Sequence, residues 1–67
     1  MNWIEYGVVL DDWDHIAPAA DRHTAYTYDR APGRLVVARD VKSTALTKSG
    51  DALVDYGDWR VIGKAAP

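Results

Sequence analysis

The densest set of residues able to do chemistry is Asp11-Asp12-Trp13-Asp14-His15, three carboxylates and an imidazole within one short run. Such a set could hold a hard divalent cation through oxygen ligands, or pair an imidazole with a carboxylate for proton transfer. The spacing fits no recognised metal site, and the histidines have no identifiable nucleophile to activate. Counted from Asp12 as the first position of a calcium loop, Asp14 falls at the third. Ile16 then stands at the fifth, Ala17 where the turn glycine belongs and His23 where the closing glutamate belongs. A zinc site on His15 and His23 would need two more ligands, and the chain has no cysteine and no HExxH pattern. Ser43 and Ser49 lie in no GxSxG context, and the glycines at 7, 33, 50, 57 and 63 are dispersed rather than gathered into a phosphate loop. The pairs Asp12 with Asp14 and Asp55 with Asp58 could serve acid–base work only inside a pocket that shifts their pKa values, which a chain this short seldom encloses. The sequence therefore reads as no enzyme, with no metal and no cofactor.

Acids interleaved with large aromatics suggest binding instead. Asp11, Asp12, Trp13 and Asp14 form one such cluster, and Asp55, Tyr56, Gly57, Asp58 and Trp59 another. Trp and Tyr supply large, rigid contact area with a polar handle, which is why they dominate interface hot spots. If both segments gather at one end of the fold, Asp11, Asp12, Asp14, Asp55 and Asp58 surround Trp13 and Trp59 on a face suited to a basic partner. The bland reading of each Trp is a core residue in a chain without Phe, and the bland reading of the Asp residues is turn chemistry.

Charge is segregated along the chain. Residues 1–21 carry −5 with no Lys or Arg; residues 22–48 carry +4 through Arg22, Arg30, Arg34, Arg39, Lys42 and Lys48 against Asp29 and Asp40; residues 49–67 carry −1. The middle block supports an alternative: a basic hairpin in which Arg22, Arg30, Arg34 and Arg39 track phosphates while Tyr26 and Tyr28 stack bases. A net charge of −2 and the lack of an RNP-type motif weigh against it, and Tyr26 and Tyr28 serve equally as the core side of that hairpin.

These residues must be positioned by a single domain, residues 1–67, since a chain of this length has one small core. With 48% apolar and 27% charged residues the composition is that of a globular protein. No apolar run reaches the ~18 residues of a membrane helix. Met1-Asn2-Trp3-Ile4-Glu5-Tyr6 has no basic n-region, so the expectation is a whole, cytoplasmic protein. Without disulfides, packing alone holds such a fold, and a homodimer would add stability.

Alternation over Trp3–Leu10 predicts a strand with Ile4, Tyr6, Val8 and Leu10 on one side. Asp11–Asp21, with cap residues and Pro18, predicts a short helical turn or irregular connection. Arg22–Asp29 and Arg34–Arg39 alternate on either side of Pro32-Gly33, a type II turn signal, and predict a hairpin. Val41–Lys48 fits either a continued strand or a brief helix capped by Ser43. Ser49-Gly50-Asp51 predicts a turn, Ala52–Tyr56 and Trp59–Ile62 strands separated by a bulge or tight turn at Gly57-Asp58, and Lys64–Pro67 a frayed tail. The fold class is mainly β, or α+β with one short helix: a small antiparallel sheet of four to six short strands.

A very short cysteine-free chain with acids at Asp11, Asp12, Asp14, Asp55 and Asp58 beside tryptophans resembles the small phage-encoded inhibitors of bacterial defence, anti-CRISPR proteins and DNA mimics. The resemblance rests on size and acid placement, without a shared motif. It implies a protein that works in the host cytoplasm and blocks a basic, nucleic-acid-binding complex by steric and electrostatic means. It also requires the +4 block to face away from the acidic surface.

Overall fold

The structure, a computed structural model, describes residues 2–30, 32–46 and 52–66. It is mainly β: five antiparallel strands and one short helix. Strand β1 (Asn2–Val9) turns into β2 (Ile16–Ala19), the helix α1 (Arg22–Tyr26) follows, and β3 (Leu35–Leu46), β4 (Ala52–Tyr56) and β5 (Arg60–Lys64) complete the sheet. The order is β2-β1-β3-β4, with β5 also on β3. β4 and β5 lie end to end along one edge of β3, opposite Val41–Leu46 and Leu35–Ala38 respectively. The break between them is anchored where the Gly57 amide donates to the Asp40 carbonyl at 2.8 Å.

Pairing fixes two faces, because partners in register project to the same side. Tyr6 with Ala38 and Val8 with Val36 lie on the side that α1 covers, where Val8, Ala25, Val36 and Ala65 are buried together and Tyr6, Tyr26, Tyr28 and Ile62 pack against them. Trp3, Glu5, Gly7, Val37, Arg39 and Val41 project to the other, helix-free side. The register between β3 and β5 slips between Val36 and Val37, leaving Ile62 as the extra residue. Tyr26 uses that bulge: its hydroxyl donates to the Ile62 carbonyl at 2.8 Å, and its ring lies so close to Gly63 that a Cβ there would come within 2.6 Å of it.

Three expectations are corrected. Arg22–Asp29 is no hairpin strand. The Asp21 carboxylate caps a helical turn by accepting from the Thr24 amide at 2.7 Å, and Thr27 closes it, its amide donating to the His23 carbonyl. These local bonds outweigh the β preference of the Thr and Tyr residues, and they let the consecutive Ala25 and Tyr26 both reach the core, which a strand would forbid. Second, Ile16–Ala19 is a strand rather than an irregular connection, and Pro18 is tolerated because β2 lies at the sheet edge. Third, Lys64–Ala66 is not frayed: Ala65 is buried, its amide donates to the Arg34 carbonyl at 2.8 Å, and the Ala66 amide donates to the Tyr26 carbonyl at 2.9 Å.

Of the two alternatives for Val41–Lys48, the strand is observed as far as Leu46; the remainder, with the turn expected at Ser49-Gly50-Asp51, lies outside the described residues. Gly33 adopts the φ of +74° that a type II turn requires, here joining the helix exit to β3. No helix is long and apolar enough to cross a membrane among the described residues.

Candidate functional site

The acidic cluster forms the turn from β1 to β2. The Leu10 amide donates to the His15 carbonyl at 2.8 Å, and within that closure the Asp12 carboxylate accepts from the Asp14 amide and lies 2.8 Å from His15 Nδ1. Asp12 thus folds the turn, an Asx-type role. Asp11, Asp14 and Trp13 project from it, Trp13 half exposed at 51%. Among the described residues no group of three or more His, Asp or Glu is placed to hold a metal ion.

The second cluster is elsewhere. Asp55 lies on β4 opposite Lys42, which in turn pairs with Asn2 at the start of β1, whereas the acidic turn follows Val9 at its end. At ~3.4 Å per residue the eight residues of β1 separate Asp55 from Asp11 by roughly 25 Å. Asp58, exposed in the link from β4 to β5, stands between them, near the level of Asp40. The five acids therefore do not ring one face, because the strand that connects the two segments in space is β1 itself.

The +4 block does not face away as a whole either. Arg30 and Arg34 line a shallow cleft with Asp11, and Arg34 and Lys64 line the next one with Asp11, Asp12 and Trp13. Since Val8 pairs with Val36, the chain entering β3 must pass beside the end of β1, and it brings its arginines to the acidic turn. This end of the molecule carries both signs side by side.

Of the residues proposed to bind nucleic acid, Tyr26 and Tyr28 pack against the core, so the core reading of these two is the one observed. Arg22 lies over the Tyr26 ring at 5.6 Å. Arg39 is engaged on the helix-free face: its guanidinium stacks on Tyr56 and on Trp59, 4.3 Å from each ring centre, and Nη2 sits 2.8 Å from Glu5 Oε1. Cation–π contact on two rings together with a carboxylate locks the side chain. Trp59 is accordingly neither core nor free anchor. It lies half-buried over Gly7, whose missing side chain makes room for Ile16 rather than for the indole: a Cβ there would stand 2.5 Å from Ile16 and in ordinary contact, 3.6 Å, with Trp59.

Sequence reasoning missed this face. Its members come from four strands, Trp3, Glu5, Arg39, Val54, Tyr56 and Val61, and only the alternation of Trp3, Glu5 and Gly7 opposite Ile4, Tyr6 and Val8 hinted that β1 has a second working side.

No protein-family model, no curated protein and no solved structure matches the chain.

Proposed function

We propose that this chain is a non-enzymatic protein-binding module that inserts its β1–β2 turn into a basic surface of a nucleic-acid-binding partner and blocks it. One observation carries the reading: Trp13 stays half exposed on a turn that is already held by its own hydrogen bonds. Preorganisation removes the ordering cost of docking, and an exposed Trp edged by Asp11 and Asp14 combines anchor and field in one small tip. Asp55 and Asp58 stand too far from that tip to join it. Arg30 and Arg34 beside Asp11 add a second requirement, an acidic patch on the partner next to its basic groove.

The test is capture by the tagged chain from nuclease-treated lysate of its native host, with Trp13→Ala and the triple Asp11→Asn, Asp12→Asn, Asp14→Asn variant alongside. Asn keeps the Oδ1 acceptor at position 12, so the turn survives while its charge is removed. The expected result is a nucleic-acid-binding protein displaced by duplex DNA, held about 30-fold or more weakly by Trp13→Ala, as for an interface hot spot. The triple variant should associate more slowly at low salt and match the wild type at high salt. Capture that vanishes with nuclease, or that ignores both variants, overturns the proposal.

A further inference from the structure

Of the large apolar side chains exposed among the described residues, Trp3, Val54, Tyr56 and Val61 share the helix-free face: Trp3 and Tyr56 both flank Val41, Val54 is opposite Ser43, and Val61 is opposite Val37. We infer that this face docks a second copy of the chain, the two sheets packing helix-free side to helix-free side about a two-fold axis.

Charge selects the occupant. Along β3 from Val37 to Ser43, the charged strand residues on this side are Glu5 and Arg39, and they neutralise each other at 2.8 Å. Two such faces meet without like-charge repulsion, while an acidic or basic partner finds no field to read. Size permits it: the whole molecule measures 47 × 22 × 17 Å, an outline within which a sheet side can supply the ~800 Å² per partner of a standard interface. Architecture agrees as well: a stable domain needs a second layer on each apolar sheet face, and the five residues of α1 cover one face only. A second sheet at ~10 Å supplies the missing layer as in a β-sandwich. The inference is independent of the reading of the acidic turn, since Trp13 lies beyond the Val9 end of the face and is left free to bind.

Sedimentation velocity of the full chain from micromolar to millimolar concentration tests it, with Tyr56→Lys, Val54→Lys and, on the opposite face, Ile4→Lys. A monomer–dimer equilibrium is expected, weakened about 30-fold or more by either of the first two substitutions, as for a buried interface anchor, and unchanged by Ile4→Lys. Amide exchange of the wild-type chain gives a readout that needs no variant: protection of Val54 and Tyr56 should rise with concentration. A monomer throughout, a dimer indifferent to Tyr56→Lys and Val54→Lys, equal loss with Ile4→Lys, or concentration-independent exchange overturns the inference.

Discussion

The two halves of β3 belong to one strand and live by different rules. From Leu35 to Ala38 it is flanked by β1 and β5, and Val36 and Ala38 are buried on the side that α1 roofs, while Val37 is buried on the helix-free side. From Val41 onward it is flanked by β1 and β4, and α1, which packs near β1 and β2, does not reach it. Val41 is nevertheless fully buried, between Trp3 and Tyr56 on the same face. Val36 and Ala38 are covered by a layer, whereas Val41 is covered by broad neighbours that are themselves exposed. Burial of a backbone position thus does not identify a core: at Val36 it reports packing between layers, and at Val41 it reports shading within one.

That contrast can be broken most sharply at Gly63. A Val there must displace the Tyr26 ring and its bond to Ile62, an overpacking cost of about 3 kcal/mol, comparable to the ~3–5 kcal/mol such a chain has available. Urea titration followed by circular dichroism should find the variant largely unfolded in buffer. Tyr26→Phe keeps the ring and removes only the hydroxyl bond to the Ile62 carbonyl, and the same titration should register about 1 kcal/mol.

Asp21 sharpens the comparison from the helix side. The Thr24 amide bond holds its carboxyl below the ordinary value of 3.8. A lowered folded-state pKa adds stability above the unfolded value, and that stability is lost as pH falls through the folded one. Asp21→Asn retains a cap acceptor without the titration, so its thermal midpoint should fall less steeply than the wild type's as acid is added below about pH 4. A smaller effect than that of Gly63→Val is expected on the open half: Tyr56→Lys removes one of the two rings under the Arg39 guanidinium and should cost about 1 kcal/mol of monomer stability. A loss as large as that of Gly63→Val would show that shading and layering are equivalent after all.

Strands β1, β3, β4 and β5 were legible because β1 alternates and because Pro32-Gly33 and Gly57 mark real breaks, whereas β2 was not, since Pro18 reads as a breaker in any strand that is not at an edge. The helix was not, since Thr24, Tyr26 and Tyr28 carry a period of two that five residues of helix cannot contradict. Only the Asp21 cap signals it, and capping by Asp is common in turns as well. The exposure of Trp13 was not legible, because a chain without Phe could equally use its tryptophans in the core. The meeting of its turn with Arg30 and Arg34, and the separation of that turn from Asp55, were not legible either, because both depend on the long-range pairing of β1 with β3. The place of Ala65 was hidden for the same reason: nothing in Lys64-Ala65-Ala66 distinguishes a tail from a plug until Tyr26 and Arg34 offer it their carbonyls.

Ala65 shares its cluster with Val8, and this sets the timing of biosynthesis. At ~5–20 residues per second a ribosome needs several seconds between making the two. For the first part of that interval, until β3 has been made, β1 waits, its Trp3, Ile4, Val8 and Val9 without the strand that will hold them, and chaperones and proteases have their access then. Stability measured on the finished molecule does not reveal this exposure; yield from a cell deprived of holdase chaperones does.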